Sequence, residues 1–501
     1  MVLVCIIVIE KRFKQYGGKN MCSKEHSESI HGYICVEPRN RRFAYSFKDN
    51  VLTVFSNDSL PLEEKDKINI EFSSKIPYVI GTDFNSGKNI VFFVNKIPFC
   101  EEGPIFWTST TEQVYYYFYF PYSWDNLGFD HIEFSFKELD VFFPLNKGLK
   151  REAIPEGRRF KIETVPYEET KEVFETSINE KTVKIELGIK QKIRGDASQP
   201  IELSAILGCY FEKTLDIDFL LNIYSIFKRL FCFLCHRRSV QMNSIKMFGT
   251  SDRGYTTEIG ELHILFENAI VEDKKIIQKT IKYPIIANRF SNLIQLVADD
   301  KLYFEHIPID YDSSHHITVA SFILDAAAFE WTFEHCYGDI PISKYRQEVK
   351  ADILTVLDEL PENKKYNSKK KGELKHYSNI VKNVDRNLSE KILYTLKDFD
   401  SVLSVFIKNL YGMNNMIFDN KSYNKIANDL QYQRNAYAHG DIDKKLADNI
   451  ISDTIILEWI DYCLVLKSVG YNDNEMFNII NAIFDRNYIE KPTEDNFEQS
   501  D

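Results

Sequence analysis

Residues 422–440 read SYNKIANDLQYQRNAYAHG, and this stretch predicts an amphipathic helix inside a helical bundle. Its apolar residues recur with the spacing of about 3.6 residues per turn that gathers side chains on one helix face. They are Tyr423, Ile426, Leu430, Ala436 and Tyr437. Gly440 favours a helix end near His439, because glycine accepts the left-handed backbone found just after many helices. A helix with one apolar face needs further elements to cover it.

The same helix ends on RNAYAHG, which brings three polar groups close together. Asn435 and His439 are four residues apart and share a helix face, and the long side chain of Arg434 reaches around to them. A histidine near a helix C-terminus is stabilised in its charged form by the helix dipole, which favours a role as proton donor. This combination suits cleavage of RNA without a metal ion.

A second, looser pairing of arginine and histidine occurs at Arg229 and His236. It lies in FLLNIYSIFKRLFCFLCH, a very apolar predicted helix in which packing explains most positions. We therefore expect only the pair at Arg434 and His439 to form a site.

Helical periodicity dominates the chain after residue 283 and appears once earlier, near residues 215–237. Further helices are predicted at 290–305, 318–337, 343–360, 374–388, 401–410, 422–439, 444–469 and 474–485. Together they predict an all-α bundle over residues 283–486. The remaining residues, 487–501, are acidic and poor in apolar side chains, which predicts a disordered tail.

The N-terminal half has a different pattern of short alternating or aromatic runs, broken by Asn, Asp, Gly and Pro. They include NIVFFVNKIPF, EQVYYYFYF and VKIELGIKQKI. In the last run, alternation predicts one buried face and one exposed face. The buried set is Val183, Ile185, Leu187 and Ile189, and the exposed set is Lys184, Glu186 and Lys190. We predict an α+β multidomain fold in which a β-rich domain, sandwich or barrel-like, spans residues 28–282 and precedes the bundle.

Residues 1–20 are predicted to be an upstream extension, with Met21 as the natural start. The codons for Gly17-Gly18-Lys19-Asn20 resemble a ribosome-binding site just before a start codon. The alternative is a short strand formed by VLVCIIVI, residues 2–9. That run is too short to span a bilayer, and it precedes its basic residues rather than following them, so neither a membrane segment nor a signal peptide is expected.

Composition is consistent with a multidomain cytoplasmic enzyme: the chain has 501 residues, of which 44% are hydrophobic. Its nine cysteines are scattered and odd in number, as expected in a reducing cytosol. Cys232, Cys235 and His236 have the spacing of a haem attachment motif. Haem, zinc and small buried hydrophobes are the alternatives, and the apolar helix favours buried hydrophobes.

No cofactor or metal is predicted elsewhere. GTDFNSGKN, residues 81–89, has one residue too many between its glycines for a P-loop, and Asn89 replaces the hydroxyl that would bind magnesium. The sequence has neither a GxSxG nucleophile motif nor an HExxH zinc motif.

One basic segment, KKYNSKKKGELKH, lies between two predicted helices. We expect a loop that holds RNA phosphates through Lys364, Lys365, Lys369, Lys370 and Lys371, and the alternative is a solvated loop without a ligand. The formal charge of −12 argues against indiscriminate nucleic-acid binding. A structured RNA, such as a tRNA, that fits a local basic groove is the expected partner.

RNAYAHG near a helix end in a bundle resembles the signature of HEPN ribonuclease domains. The layout of a β-rich domain followed by a bundle is similar to ApeA-like proteins, which act in abortive-infection defence against phage. The resemblance implies an endoribonuclease in which Arg434, Asn435 and His439 act on RNA. It also implies a homodimer that pairs two sites in one cleft, with the N-terminal domain as a sensor or regulator of a phage-derived activator.

The predicted helix ITVASFILDAAAFEWTFEHCYGD is similar to the first helix of ApeA-like domains, and it carries Glu330 and Glu334 one turn apart. The resemblance implies that Glu330 orients the catalytic arginine or histidine, and the alternative is an ordinary solvated or paired glutamate. For the whole chain, the competing hypothesis is an inactive HEPN scaffold or nucleotide-binding module whose N-terminal domain binds a partner.

Overall fold

The computed structural model describes fourteen stretches of the chain. They are residues 29–36, 41–48, 51–55, 78–94, 105–118, 128–154, 159–193, 201–251, 253–264, 280–338, 344–360, 367–382, 387–438 and 449–484, with residue 29 preceding the first strand. The chain forms two compact units, one of residues 1–129 with 243–268 and the other of residues 130–242 with 269–501. The proposed start at Met21 and the acidic tail 487–501 lie outside the described residues.

The first unit is built from antiparallel strands. They are β1 Ile30–Val36, β2 Arg41–Lys48, β3 Val51–Phe55, β4 Tyr78–Asp83, β5 Asn89–Val94, β6 Ile105–Phe118, β13 Ser244–Thr250 and β14 Thr256–Ile264. Strand β6 pairs with both β3 and β5, and the order β3, β2, β1, β4, β5 completes a ring, so the barrel-like form of the prediction is observed. Strands β14 and β13 extend the sheet from β6.

The stretch GTDFNSGKN forms the turn of the β4–β5 hairpin. The Asp83 carboxylate accepts hydrogen bonds from the backbone N–H groups of Asn85 and Ser86 at 3.0 and 3.1 Å, which closes the turn. A strand follows this turn, whereas a P-loop leads into a helix.

The strands of the second unit are β7 Phe129–Phe134, β8 Leu149–Ile154, β9 Arg159–Thr164, β10 Glu172–Ile178, β11 Lys181–Ile193 and β12 Ile201–Thr214. Four of them lie side by side in the order β10, β11, β12, β7, in which β11 is antiparallel to both β10 and β12. Strands β8 and β9 form a separate antiparallel hairpin. All four residues predicted to face the core of β11 are buried. Glu186 is buried as well, contrary to the alternation, and Lys184 lies 2.7 Å from its carboxylate.

Thirteen α-helices lie in the described part of this unit. They are α1 Lys137–Phe142, α2 Tyr167–Thr170, α3 Ile217–Cys235, α4 Tyr283–Ile286, α5 Phe290–Ala298, α6 Val319–Tyr337, α7 Lys344–Glu359, α8 Ser368–Lys382, α9 Leu388–Asp398, α10 Asp400–Met413, α11 Ser422–Ala438, α12 Ile450–Val469 and α13 Asp473–Ile483. The β-rich region followed by a helical region confirms the predicted α+β class.

The predicted segments 28–282 and 283–486 divide the chain at a different place from the compact units. Helix α3 explains the difference, because it is apolar nearly all round and packs among the later helices. Phe233 on α3 stacks on Tyr462 of α12 with ring centroids 4.5 Å apart. Residues 130–242 therefore share a core with the bundle.

Candidate active site

Helix α11 carries the arginine of the motif and is held by its apolar face. Ile426, Leu430, Ala436 and Tyr437 are buried, as the periodicity predicts. Tyr423 is half-buried instead, and its hydroxyl donates to the Asp400 carboxylate at 2.5 Å. Because Arg434 lies beside this face rather than on it, its side chain is 38% exposed and its guanidinium is accessible to a ligand.

The partner of Arg434 is Glu330 on α6. Nη2 of Arg434 donates a hydrogen bond to Oε2 of Glu330 at 2.8 Å, so the structure brings these two predicted site residues together. Helix α6 begins with a capping box, in which the side chains of Thr318 and Ser321 each accept the other's backbone N–H. This cap and the buried face of Phe322, Ala326, Phe329 and Phe333 fix the helix that carries Glu330.

Asn435 is the second motif residue in the described part of the chain. Its side chain is exposed, and Nη1 of Arg434 lies 3.3 Å from its Oδ1. Arg434 thus bridges a carboxylate and a carboxamide, and each interaction uses a different terminal nitrogen. Within the described part of the chain, these two contacts engage two of the five guanidinium N–H donors.

The third motif residue, His439, lies outside the described residues. In the sequence it directly follows Ala438, the last residue of α11. Lys364 and Lys365 of the basic segment lie outside the described part as well.

Lys391 on α9 is a charged neighbour that the sequence reasoning missed. Its Nζ lies 2.6 Å from Oε1 of Glu334 and 4.0 Å from Oε1 of Glu330, and its side chain is only 10% exposed. Helix α9 itself was not predicted. Its signal is the capping box of Asn387 and Glu390, each of which accepts the other's backbone N–H.

The described part of the basic segment is a helix, so the predicted loop is wrong for Lys369, Lys370 and Lys371. They lie in the first turn of α8, where Asn367 accepts the backbone N–H of Lys370 at 3.0 Å. The three lysines are exposed. An N-terminal cap and good helix-forming lysines outweigh the mutual repulsion of the charges.

The looser pair at Arg229 and His236 makes unrelated contacts. Arg229 pairs with Asp300 and donates to the carbonyl of Leu302 at 2.8 Å. His236 Nδ1 lies 3.0 Å from the hydroxyl of Tyr462. These partners lie on different segments, Arg229 beside Asp300 and Leu302 and His236 beside Tyr462.

The cysteines of the haem-like motif are buried thiols. Burial raises the pKa of Cys232 to about 12 and that of Cys235 to about 11, whereas a metal ligand must be a thiolate. Cys235 Sγ lies 3.5 Å from the hydroxyl of Thr280. These surroundings favour the interpretation as small buried hydrophobes.

Among the described side chains, no group of three or more His, Cys, Asp or Glu residues has the arrangement of a metal site. Of the helices in the described stretches, none combines the length and apolar character needed to cross a bilayer.

Comparison with known proteins identifies the region that contains this site. The family model described as Apea-like HEPN matches residues 327–475, which run from within α6 to the first turn of α13. The match includes Glu330, Lys391 and Arg434. No curated protein matches the chain.

Proposed function

We propose that this chain, which contains an Apea-like HEPN domain at residues 327–475, is an endoribonuclease that cleaves RNA without a metal ion. HEPN domains are generally ribonucleases, so the family match supports an enzyme of the nuclease type. The observation that carries the finer proposal is the 2.8 Å contact of Arg434 with Glu330. It holds an accessible cation five residues before His439 in the sequence.

The proposed reaction is an internal transfer within RNA. The 2′-hydroxyl of a ribose attacks the adjacent phosphorus, the bond from phosphorus to the 5′-oxygen of the next nucleotide breaks, and a 2′,3′-cyclic phosphate forms. One proton leaves the 2′-hydroxyl and one is added to the departing 5′-oxygen, so no water is consumed. His439 acts as general base or general acid in one of these transfers.

Arg434 stabilises the charge that develops on the phosphate oxygens. A guanidinium matches two phosphate oxygens with two parallel N–H donors, which a lysine cannot do. Glu330 and Asn435 hold the guanidinium from two directions, so less conformational freedom is lost when phosphate binds. In this proposal Glu330 is a positioning residue, and Asn435 orients the phosphate or the histidine.

RNA is the proposed partner, and α8 is the proposed place where the phosphate backbone is held. Lys369, Lys370 and Lys371 are exposed and consecutive near the start of this helix. Since the whole chain is acidic, such a local patch selects RNA by position rather than by bulk attraction. Lys364 and Lys365 extend the same segment in the sequence.

The motif supplies one histidine per chain, His439, whereas a full acid and base pair needs two groups. A homodimer that places two motifs in one cleft supplies the second histidine, and HEPN domains commonly dimerise. The β-rich region is proposed as a sensor or regulator that responds to a phage-derived signal, in keeping with an abortive-infection type of function.

The test is cleavage of total cellular RNA in excess chelator by the purified protein and by His439→Ala. Discrete fragments that end in 2′,3′-cyclic phosphate, and that disappear with the variant, are expected. If the unsubstituted protein does not cleave RNA, the assay is repeated with lysate from phage-infected cells added. Toxicity that persists in a folded His439→Ala variant would instead support the HEPN scaffold, because a scaffold does not need the histidine.

A further inference from the structure

Four charged side chains from three helices form a compact group around Glu330. Glu330 and Glu334 come from α6, Lys391 from α9 and Arg434 from α11. Two positive and two negative charges make the group neutral. We call these four residues the charge quartet.

Within the quartet, each cation pairs most closely with a different carboxylate. Lys391 Nζ is 2.6 Å from Glu334 and 4.0 Å from Glu330, and Arg434 Nη2 is 2.8 Å from the other oxygen of Glu330. The distances assign Glu334 to Lys391 and Glu330 to Arg434. Because the glutamates are one turn apart on the same face, either carboxylate is in position to compete for a neighbouring cation.

Removing the charge of Lys391 changes the electrostatic potential at Arg434. Two carboxylates and one guanidinium remain, and the group carries a net negative charge beside the proposed phosphate position. Glu334, released from Lys391, then adds an uncompensated carboxylate one turn along α6 from Glu330, the partner of Arg434. Both effects weaken the attraction of Arg434 for an RNA phosphate.

Lys391 is poorly placed to hold RNA itself. Its side chain is 10% exposed, and Nζ lies 5.7 Å from the centre of the Phe333 ring. The side chain of Arg434, by contrast, is 38% exposed. Lys391 therefore acts through the two glutamates.

We propose that Lys391 is a positioning residue of the RNA-cleaving site. Lys391 forms an ion pair with Glu334 and neutralises its charge. Arg434 is then oriented by Glu330 alone and keeps the positive potential that binds phosphate. The inference rests on the proposed function. It adds a residue on a third helix that the HEPN-like motif itself does not contain.

The first experiment is a charge-restoring cycle of Lys391→Met, Glu334→Gln and the double variant. Methionine keeps a long apolar side chain against Phe333, so packing is largely retained. We expect Lys391→Met to lower kcat/KM for RNA about tenfold, mainly through a higher KM. The double variant should recover to within about threefold of the original protein, because the quartet is neutral again.

Thermal unfolding separates this role from a merely structural one. Lys391→Arg keeps the charge and should retain activity. If Lys391→Met loses stability and the double variant does not recover RNA binding despite a normal melting temperature, the proposal is wrong. Binding is measured with a 2′-O-methyl RNA oligonucleotide, which lacks the attacking hydroxyl and stays intact.

The second experiment does not depend on ribonuclease activity. Phenylglyoxal modifies accessible arginines, and mass spectrometry follows the rate at Arg434 with exposed Arg253 as the internal control. Lys391→Met should slow modification of Arg434 relative to Arg253, and the double variant should restore it. Equal relative rates in all variants would overturn the role of Lys391. Absence of RNA cleavage and binding in every protein, with the expected rates, would overturn the proposed function alone.

Discussion

Arg434 on α11 and Glu330 on α6 are 104 residues apart in the sequence and 2.8 Å apart in the structure. Their side chains are 38% and 26% exposed. A partly solvated ion pair of this kind contributes only about 0–1 kcal/mol to stability. We therefore interpret the contact as one that orients Arg434 rather than one that stabilises the bundle.

Glu330→Gln should lower activity without a large loss of stability. Glutamine keeps the size of the side chain and one hydrogen-bond acceptor but removes the charge that fixes the guanidinium. We expect kcat to fall about 10-fold to 100-fold, since a loosely held catalytic group costs rates of this order. The melting temperature should stay within about 2 °C of that of the original protein, because a partly exposed ion pair contributes little to stability.

Glu348→Gln is the matched control for this change, because Glu348 is an exposed glutamate on α7, outside the proposed RNA-binding helix. It should leave kcat unchanged. Equal activity of Glu330→Gln and Glu348→Gln would show that Glu330 is an ordinary surface glutamate.

Neutralising the start of α8 should weaken RNA binding in a salt-dependent way. Replacing Lys369, Lys370 and Lys371 by glutamine removes three phosphate contacts if all three bind. The slope of log K against log salt for single-stranded RNA should then become shallower by about 2. Fluorescence anisotropy at several salt concentrations gives this slope.

A control triple of glutamine substitutions at the exposed residues Lys161, Lys192 and Lys301 changes the net charge equally. It should leave the salt slope as it was. The same loss of slope in both triples would mean that overall charge, rather than α8, governs binding.

Several helices could be predicted from the sequence because apolar spacing and end signals agree. The structure has α6 at residues 319–337 and α11 at 422–438, against predictions of 318–337 and 422–439. Predictions failed where the pattern is weak. The basic first turn of α8 has no apolar stripe, so only Asn367 marks its start.

The candidate site was predictable in part for a similar reason. The residues of the motif RNAYAHG are close together in the sequence, so their spacing can be recognised without a structure. The partnership of Lys391 with Glu334 joins two helices that are far apart in the sequence, so no spacing rule reveals it. The burial of Glu186, against strand alternation, likewise depends on tertiary neighbours such as Lys184.

Removing Glu138 should strongly destabilise the second unit. Its carboxylate accepts a 2.8 Å hydrogen bond from Arg237, and both side chains are almost fully buried, at 0% and 1% exposure. Glu138→Ala leaves a buried guanidinium without its counter-charge, which costs about 3–5 kcal/mol. Urea unfolding measures the loss.

The double variant Glu138→Met with Arg237→Met is the informative comparison. It replaces a buried ion pair by apolar groups, so it should recover most of the stability lost by Glu138→Ala. A double variant as unstable as the single one would show that the hydrogen bonds of the pair, including that from the Gln241 backbone to Glu138, outweigh its desolvation cost.

Asp453→Asn should make the protein more stable at pH 8 and flatten its pH dependence. Burial, with Asp429 adding and Lys425 opposing, raises the pKa of Asp453 from an ordinary 3.8 to about 7. The folded protein therefore binds more protons than the unfolded chain between about pH 4 and pH 7. The contribution of this extra proton to the free energy of unfolding is complete below about pH 4 and is lost as the pH rises through about 7. Asparagine has no such proton to lose.

Asp419→Asn provides a control of opposite sign at a different helix start, because Asp419 precedes α11 whereas Asp453 lies in the first turn of α12. Hydrogen bonds from the Lys421 backbone and the Ser422 hydroxyl lower the pKa of Asp419, so its contribution is present above about pH 4 and lost as the pH falls. Urea unfolding of both variants and the original protein from about pH 2 to pH 8 gives the two differences, since the Asp419 contribution changes below about pH 4. A stability gain of Asp453→Asn that is the same at every pH would show that Asp453 does not titrate in this window.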